Sequence, residues 1–407
     1  MLTLFMGIHI YLFVTMLYKL WVSYKALTVK AANPPEYTGP LPKYTVIVPL
    51  YKEAGIAPRL IERLKKLDYP KSKLQVLLAI EPDDQETLEA FDGIVLPKNF
   101  QIVPVTLGKH RTKPHACNCA LQYATGELVT IYDAEDAPEP DQLRKAVNLF
   151  AASGGKVVCL QAKLNFYNHS ENLLTRFFAL EYGAWFQYYI KGITLSGFST
   201  PLGGTSNHFK IDALKSLGGW EASSVTEDVE LGMKIADAGY DVKHLDSTTW
   251  EESPVELSQW IKQRTRWQMG YLLTWASYAF RKPKNWKSFG TLHLFVLANP
   301  LNSLLFLPLM YVFLAYMTGF LTFSWSPFWS ILGWFLVVAG NVSVLLLHLL
   351  GGLKMGFKFW PLVFLLPFYW VLHAVASYRA IYRIIIGKSK VWEKTPHGVS
   401  KTEEEHV

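Results

Sequence analysis

Cysteine is scarce in this chain, which has three cysteines among 407 residues: Cys117, Cys119 and Cys159. An odd number of cysteines argues against a disulfide framework. Cys117 and Cys119 form a Cys-x-Cys pair, which is a poor zinc spacing without a second pair. We therefore expect three reduced cysteines that pack inside a cytosolic domain.

Charged residues are missing from one long stretch of the chain. No Asp, Glu, Lys or Arg occurs between Lys287 and Lys354, and this gap exceeds the roughly 20 apolar residues that one membrane helix needs. The chain is 50% hydrophobic, has 14 tryptophans and carries a net charge of +7. These features predict an integral membrane protein whose basic flanks face the cytoplasm and anionic lipid headgroups, and they do not favour a nucleic-acid partner.

The N-terminal segment has no charged side chain before Lys19. It lacks the basic start and the small-residue cleavage site of a secretory signal. Lys19, Lys25 and Lys30 follow the apolar residues, so the positive-inside rule places the N-terminus outside and the next domain in the cytoplasm. We expect a bacterial inner-membrane protein.

Strand and helix patterns alternate from Tyr44 onward. Apolar runs predict strands at 45–48, 74–80, 101–106 and 128–131, and other patterns predict helices at 58–67, 87–91, 117–124 and 141–150. Such alternation is typical of an α/β domain with a mostly parallel sheet and helices on both faces. Ligands of these sheets bind at the carboxyl ends of the strands. Four carboxylates fall just beyond such ends: Glu53, Glu81, Asp83 and Asp133.

The strand at 128–131 leads into a turn with three carboxylates, Asp133, Glu135 and Asp136. Such oxygen ligands suit a hard cation, Mg²⁺ or Mn²⁺, which often shares its ligands with substrate phosphates. The alternative is a solvated acidic turn that precedes the helix at 141–150. Taken alone, the turn favours neither interpretation.

Four short segments, followed by apolar helices, carry a resemblance to a known family. They are Val48-Pro49-Leu50-Tyr51-Lys52-Glu53, the stretch from Thr112 and Lys113 to Asp136, Thr226-Glu227-Asp228, and Gln263-Arg264-Thr265-Arg266-Trp267. They resemble the motifs of membrane-embedded family 2 glycosyltransferases, the cellulose- and hyaluronan-synthase-like group. The resemblance implies a cytosolic GT-A-type nucleotide-sugar-binding domain inserted between transmembrane helices. One position departs from the family, which has Asp where this chain has Glu135.

The same resemblance implies roles for individual residues. Asp228 would be the general base, with Glu227 as the next candidate. Donor binding would fall to Glu53, Glu81, Asp83, Lys113 and Asp133, and Mg²⁺ or Mn²⁺ would bind Asp133 with Glu135 or Asp136. The acceptor and the diphosphate would contact Glu227, Gln263, Arg264, Arg266 and Trp267.

Several of these residues also have structural interpretations. Thr226 can be the N-cap of a helix at 229–238, which would make the acidic turn a helix start signal. Lys113 can be an ordinary surface lysine. Trp267 lies on an amphipathic basic helix that is typical of a membrane interface. His208 can be a satisfied core histidine, and we assign it no role.

The sequence divides into six segments. They are an N-terminal membrane helix with a basic flank (1–30), a linker (31–43), the GT-A-like domain (44–250), interface helices (251–290), C-terminal membrane helices (291–386) and a tail (387–407). Residues 301–323 and 328–350 each suit one span. The stretch 359–377 either crosses the membrane or forms a broken, interfacial segment; the second option keeps the basic tail in the cytoplasm. Residues 392–397 resemble a tail motif of related proteins.

The resulting hypothesis is an inverting transferase that uses UDP-glucose or UDP-N-acetylglucosamine to elongate a β-linked polysaccharide. It would be processive and coupled to export, with accessory export proteins as further partners. The alternative is a single addition to a membrane lipid, such as ceramide, diacylglycerol or a polyprenyl phosphate. A transporter or a non-catalytic scaffold is a third class, which the complete carboxylate set disfavours.

Overall fold

The computed structural model describes residues 2–29, 34–106, 108, 111–281, 285–320, 327–388, 398 and 400. The tail motif expected at 392–397 and the terminal residues 401–407 lie outside these described residues. Two compact units contain the described residues. The α/β unit comprises residues of 34–175 and 199–255 with Gly398 and Ser400, and the helical unit comprises residues of 2–29, 176–198 and 256–388.

Strands and helices are numbered in chain order. The strands are β1 (Tyr44–Leu50), β2 (Leu74–Ile80), β3 (Phe100–Pro104), β4 (Leu128–Ile131), β5 (Ala137–Pro138), β6 (Val157–Phe166), β7 (Asn207–Lys210) and β8 (Asp241–Glu251). The α-helices are α1 (Leu2–Thr28), α2 (Ala57–Lys65), α3 (Gln85–Asp92), α4 (Lys113–Tyr123), α5 (Gln142–Ala151), α6 (Leu173–Ala184), α7 (Lys191–Leu195), α8 (Ile211–Ser216), α9 (Glu227–Asp237), α10 (Leu257–Ala279), α11 (Trp286–Thr291), α12 (Ala298–Met317), α13 (Pro327–Phe335), α14 (Asn341–Lys354) and α15 (Leu366–Ile385).

One sheet organises the α/β unit, with the strand order β3-β2-β1-β4-β7-β6-β8-β5. Strands β1 to β4 pair in parallel, so that Tyr44 lies opposite both Leu74 and Leu128. β7 runs antiparallel to β4 and β6, and β6 pairs in parallel with β8. The carboxyl ends of β1, β2 and β4 therefore lie at one edge, where the predicted site residues follow.

Apolar residues fill both faces of this sheet, because successive side chains of a strand point to opposite faces. Val46 and Val48 of β1 belong to one buried cluster with residues of α2 and α5. Ile47 belongs to a second cluster with residues of α4, α8 and α9. Burial on both faces explains why the central strands are apolar at consecutive positions.

The predicted α/β architecture with a mostly parallel sheet is confirmed, and the four predicted strands correspond to β1 to β4. Strands β6, β7 and β8 were not predicted, and neither was the two-residue strand β5. Strand β7 begins at Asn207, so His208 lies inside the sheet. Helix α4 begins at Lys113, four residues before the predicted start, which places that lysine in the first helical turn. All three cysteines are free, as expected.

The helical unit contains four helical segments long and apolar enough to cross a membrane, counted over the described residues: Met6–Thr28, Trp286–Met317, Ile331–Lys354 and Trp360–Ile385. The second segment begins earlier and ends earlier than the predicted span at 301–323. The fourth covers the ambiguous stretch at 359–377 and has sufficient length for a crossing. Helices α1 and α7 pack closely, since a Cβ at Gly192 would lie 1.9 Å from the Val22 carbonyl oxygen.

Candidate active site

Lys113 and Asp133 form an ion pair at the carboxyl edge of the sheet. The Lys113 Nζ lies 2.5 and 2.7 Å from the two carboxylate oxygens of Asp133 and donates a 2.7 Å hydrogen bond to the Gly204 carbonyl. Burial alone would lower the pKa of Lys113, but Asp133 and Glu227 outweigh burial and raise it. Lys113 is therefore a fixed cation beside Asp133 and not an ordinary surface lysine.

Asp228 faces the same place from the first turn of α9. A Cβ built on Gly204 would lie 3.7 Å from Asp228 Oδ2 and 3.9 Å from Lys113 Nζ, so Gly204 separates the two side chains. Burial and then the neighbouring Glu227 raise the pKa of Asp228 to about 7. A carboxyl group with this pKa can accept a proton near neutral pH.

The helix-cap interpretation of the acidic turn loses support. Thr226 is the N-cap residue of α9, but its side chain makes no capping hydrogen bond. Asp228 lies inside the helix, where its Oδ1 accepts a 2.8 Å bond from the Val229 N–H. Its carboxylate thus has one oxygen held by the helix terminus and the other directed toward Gly204.

Hydrogen bonds fix the turn that follows β4. The Asp136 Oδ2 accepts a 2.8 Å bond from the Asp133 N–H and a bond from the Thr205 hydroxyl. The Glu135 carbonyl accepts a 2.6 Å bond from the Arg63 guanidinium. Asp136 is fully buried, whereas Glu135 keeps 9% of its surface exposed. The Asp136 Oδ2 therefore fixes the turn, and the side chain of Glu135 is also largely buried.

Negative charge accumulates around this turn. Burial, then Asp133 and Glu53, raise the pKa of Glu135. Burial, then Asp133 and Glu135, likewise raise the pKa of Asp136. Sequence reasoning missed Glu251, at the end of β8, whose pKa rises through burial and through these same carboxylates. No sequence motif marks Glu251, because its proximity arises from the pairing of β5 with β8, in which Ala137 lies opposite Trp250.

A divalent cation fits this arrangement. The Asp136 Oδ1 is buried and has no hydrogen-bond partner among the described residues, and like-charged carboxylates disfavour each other's ionisation unless a cation compensates them. Across the described ranges, no group of three or more His, Cys, Asp or Glu side chains is spaced as a complete metal site. Mg²⁺ commonly uses only one or two protein carboxylates and completes its coordination with substrate phosphates. The donor set therefore suits a metal shared with a diphosphate.

A second group of predicted residues lies beyond β2. Glu81 is buried, and burial followed by Asp83 raises its pKa. Asp83 forms an ion pair with Arg111. Sequence reasoning missed Asp84, which caps α3 and accepts a bond from the Lys52 N–H. Its position three residues before Thr87 is a typical N-cap signal that could have identified it.

Backbone strain is concentrated at these loops. Lys52 and Ser206 have positive φ angles of 56° and 55°, and no other described residue except glycine does. Lys52 precedes Glu53, and Ser206 follows Thr205, the residue that bonds Asp136. Such conformations are sparsely populated for residues with a Cβ and concentrate at functional sites. The strain thus marks the same edge of the sheet as the carboxylates do.

A chain of contacts supports the turn from behind. The Arg63 guanidinium stacks 5.1 Å from the Tyr167 ring centroid. The Tyr167 hydroxyl bonds the buried Glu252 carboxylate at 3.0 Å. Glu252 also accepts 2.7 Å bonds from the N–H groups of Gly398 and Ser400. Two residues of the C-terminal tail are thereby linked, through Glu252, to the residue that holds Glu135.

His208 is a core histidine. Its side chain is fully buried, and its two ring nitrogens lie 2.7 Å from the Tyr44 hydroxyl and 3.1 Å from the Gln142 amide oxygen. Burial lowers its pKa to about 3. A buried histidine whose two ring nitrogens both have partners has a structural role.

The Gln263-to-Trp267 segment lies on α10 in the helical unit. Both terminal nitrogens of Arg264 bond the Glu181 carboxylate, at 3.0 and 2.6 Å. Burial would raise the pKa of Glu181, but Arg264 and His373 lower it to about 2. The Arg264 guanidinium also stacks 4.2 Å from the Phe178 ring and 4.4 Å from the Trp267 ring. Arg264 thus has its charge neutralised within its own unit.

The other residues of this segment have different surroundings. Trp267 stacks on Tyr182 at 6.3 Å between centroids. The Gln263 amide oxygen is buried and has no hydrogen-bond partner within the described part of the chain. Arg266 is partly buried. The described contacts therefore join Arg264 and Trp267 into one cluster, while the acceptor and diphosphate roles of the segment stay predictions.

Comparison with known proteins identifies the family. The family model described as "Glycosyltransferase like family 2" matches residues 42–270, more than half of the chain. The chain belongs to this family. This membership makes the chain a family 2 glycosyltransferase, and the expected GT-A-like fold is confirmed.

Three curated relatives are similar over part of the chain. "Probable glycosyltransferase YdaM" of Bacillus subtilis is 26% identical over 56% of this chain and 55% of its own length. "Probable glucomannan 4-beta-mannosyltransferase 1" of Arabidopsis thaliana is 24% identical over 56% and 43%. "Beta-monoglucosyldiacylglycerol synthase" of Synechocystis is 26% identical over 65% and 58%. The chain therefore spans about half the length of the curated relatives it matches.

A solved structure shares the fold of this family 2 enzyme. The mannosyltransferase PcManGT from Pyrobaculum calidifontis, in complex with GDP-Man and Mn²⁺, has a TM-score of 0.62 and 22% identity. The match covers 93% of this chain and 97% of that chain. The likeness supports the architecture and, at this identity, nothing finer.

Proposed function

We propose that this family 2 glycosyltransferase moves a hexosyl group from a UDP-sugar to an acceptor at the membrane, with inversion at the sugar carbon. The convergence of Asp133, Lys113 and Asp228 around Gly204 carries the proposal. It combines a cation-binding carboxylate, a fixed ammonium group and a basic carboxylate within one small region. These are the groups that transfer from a nucleoside diphosphate requires.

Asp133 would hold Mg²⁺ or Mn²⁺ with Glu135 or with the unpartnered Asp136 Oδ1, while the Asp136 Oδ2 fixes the turn. The bound metal neutralises charge on the departing diphosphate. Lys113 holds a further positive charge beside Asp133 and stabilises the same developing charge. Glu53, Glu81 and Asp83 complete the donor pocket at the ends of β1 and β2.

Asp228 would accept the proton of the acceptor hydroxyl as that oxygen attacks. Its raised pKa favours this role, because a base is most effective when its pKa lies near the working pH. Direct attack by an activated hydroxyl, without a covalent enzyme intermediate, inverts the configuration at the sugar carbon. Glu227 is the next candidate for the base.

The acceptor is either a growing polysaccharide or a membrane lipid. Processive elongation of a β-linked polysaccharide, coupled to export, is favoured by the resemblance of Gln263-to-Trp267 to the polymerising group. Addition of one sugar to a lipid is favoured by the similarity to a relative named as a diacylglycerol-linked synthase. The proposed location is the bacterial inner membrane, with the α/β unit in the cytoplasm.

The product of the reaction tests these proposals. Purified protein in membranes would receive radiolabelled UDP-glucose, UDP-N-acetylglucosamine or GDP-mannose with MnCl₂, and the products would be separated by size and by lipid extraction. A ladder or an immobile polymer supports elongation, and one discrete lipid product supports single addition. Turnover of GDP-mannose with neither UDP-sugar would overturn the proposed donor, and Asp228→Asn supplies the inactive control.

A further inference from the structure

The helical unit contains a cavity of about 550 Å³. This volume lies in the range of typical small-molecule sites, roughly 300–1,000 Å³. Residues of α1, α12, α14 and α15 contribute to its walls, including Leu12, Leu305, Val344 and Trp370. All four of these helices belong to segments long and apolar enough to cross a membrane. The cavity is therefore positioned to take a hydrocarbon chain.

Three polar residues of the lining have their donors occupied by backbone carbonyls. The Thr15 hydroxyl bonds the Leu12 carbonyl, the Ser343 hydroxyl bonds the Gly340 carbonyl, and the Asn299 amide bonds the Phe295 carbonyl. Each of these bonds returns to the residue's own helix. The lining thus offers little to a hydrated glycan, whose hydroxyl groups need many partners.

Lys19 is the exception. It is the one Lys, Arg, Asp or Glu among the residues that line the cavity, and it lies inside the candidate span Met6–Thr28. Its ammonium group lies 5.3 Å from the Tyr189 ring centroid, and no carboxylate of the described residues lies within 4.0 Å of it. Glu181 acts on Lys19 electrostatically but already bonds Arg264. Ionisable side chains within membranes normally mark a ligand or a partner charge.

We propose that this cavity binds the hydrocarbon chain of an anionic lipid phosphate and that Lys19 contacts the phosphate. Charge complementarity selects this lipid class over a neutral diacylglycerol, which offers no anion to Lys19. The apolar lining selects a hydrocarbon chain over a polysaccharide. The inference rests on the proposed function: the acceptor hydroxyl would be the P–OH of the lipid phosphate, which gives its proton to the general base and forms the new bond to the sugar carbon as UDP leaves.

Binding of a radiolabelled polyprenyl phosphate to the full-length protein in maltoside micelles tests the inference without any donor. Lys19→Met should weaken binding about tenfold or more, because a charge-assisted contact is lost. Lys19→Arg should retain binding within about threefold. Gly340→Leu should weaken binding by filling the cavity, whereas Gly340→Ala, whose Cβ would make an ordinary 3.7 Å contact with the Met16 sulfur, should not.

The possible outcomes distinguish failure of the lipid-binding proposal from failure of the proposed function. Three results would each overturn the cavity assignment. Lys19→Met could bind the probe as tightly as the unaltered protein does, or the protein could bind dioleoylglycerol as tightly as the polyprenyl phosphate. The third result is displacement of the probe by a soluble oligosaccharide. UDP affinity, measured on the same Lys19→Met preparation, should stay unchanged and controls for folding. Lys19-dependent lipid binding without any sugar transfer would instead overturn the proposed function alone.

Discussion

The α/β unit and the helical unit both bury charged side chains, but they balance the charges differently. Around Asp133 and Glu135, carboxylates are crowded and the pKa values of Glu135 and Asp136 are raised. Around Arg264, the Glu181 carboxylate receives two hydrogen bonds from the guanidinium and its pKa falls to about 2. An added cation would stabilise the carboxylates around Asp133, whereas Arg264 already neutralises the charge of Glu181.

The difference indicates which group binds a ligand and which holds helices together. A buried carboxylate without a compensating charge destabilises the folded state, and such sites persist where function requires them. A paired, hydrogen-bonded carboxylate contributes to packing instead, since Glu181 also accepts a 2.8 Å bond from Tyr369 of α15. The motif residue Arg264 thus joins α6, α10 and α15. The following changes test this distinction, from the largest expected effect to the smallest.

Replacement of Asp133 should have the largest effect. Asp133→Asn should abolish turnover, because an amide is a poorer metal ligand and removes one negative charge from the site. Of Glu135→Gln and Asp136→Asn, the variant that needs more MnCl₂ for half-maximal activity has lost the second metal ligand. Asp136→Asn should also lower the thermal midpoint, because the Asp136 Oδ2 fixes the turn. Full activity of Asp133→Asn in EDTA would show that the reaction does not need a metal.

Replacement of Asp228 should lower turnover by about 10²- to 10⁴-fold, the usual contribution of a general base. UDP affinity should remain unchanged, because the base acts on the acceptor proton and not on the donor. The turnover of the unaltered protein should rise with pH, reach half its maximum near pH 7, where half of Asp228 is ionised, and level off at higher pH. Turnover, UDP affinity and the thermal midpoint would be measured on one Asp228→Asn preparation.

The same variant has an expected stability signature. The pKa of Asp228 is raised from 3.8 to about 7 in the folded protein, so its contribution to stability is complete below pH 3.8 and is lost as the pH rises to about 7. Asp228→Asn should therefore melt higher than the unaltered protein at pH 8 and at a similar temperature at pH 4. A lowered midpoint with unchanged turnover would assign Asp228 a structural role and move the search to Glu227.

Breaking the Arg264–Glu181 pair should destabilise the helical unit. Arg264→Met should cost about 3–5 kcal/mol of unfolding free energy, because it leaves a buried carboxylate unpaired. The double variant Arg264→Met with Glu181→Leu should recover much of that loss. Thermal unfolding in detergent measures both. An Arg264→Lys variant with normal stability and a raised KM for the donor would favour the diphosphate role.

Weakening the support behind the turn should have the smallest effect. Glu252→Gln removes the charge that holds Gly398, Ser400 and Tyr167. The Mn²⁺ concentration for half-maximal activity should rise by less than about tenfold, since Glu135 is affected only through Arg63 and Tyr167. Glu171→Gln, which alters a carboxylate that accepts a 2.6 Å bond from the Ser400 hydroxyl, is the matched control. If both variants changed the required Mn²⁺ concentration equally, the contacts of Glu252 would have no specific role in supporting Glu135.

Local sequence patterns predicted much of the fold because the central strands are buried on both faces and bounded by turn residues. β1 and β4 were recognisable from apolar runs such as Leu128–Ile131, and the carboxylates at their ends followed from sheet geometry. β8 escaped prediction because its burial alternates irregularly over Asp241–Glu251, without a continuous apolar run. β7 is only four residues long and pairs antiparallel between β4 and β6, a position that depends on distant segments.

The sequence alone determined the enzyme family, the edge of the sheet that carries the site and the apolar segments, because motif order, strand ends and hydrophobic length are local properties. Tertiary structure decided which charged side chains have a partner of opposite charge. Lys113 meets Asp133 and Arg264 meets Glu181 across 20 and 83 positions of the chain, and spacing does not encode such pairs. The same reason applies to Glu251 and to Lys19, since burial and the neighbouring charges are properties of the folded chain.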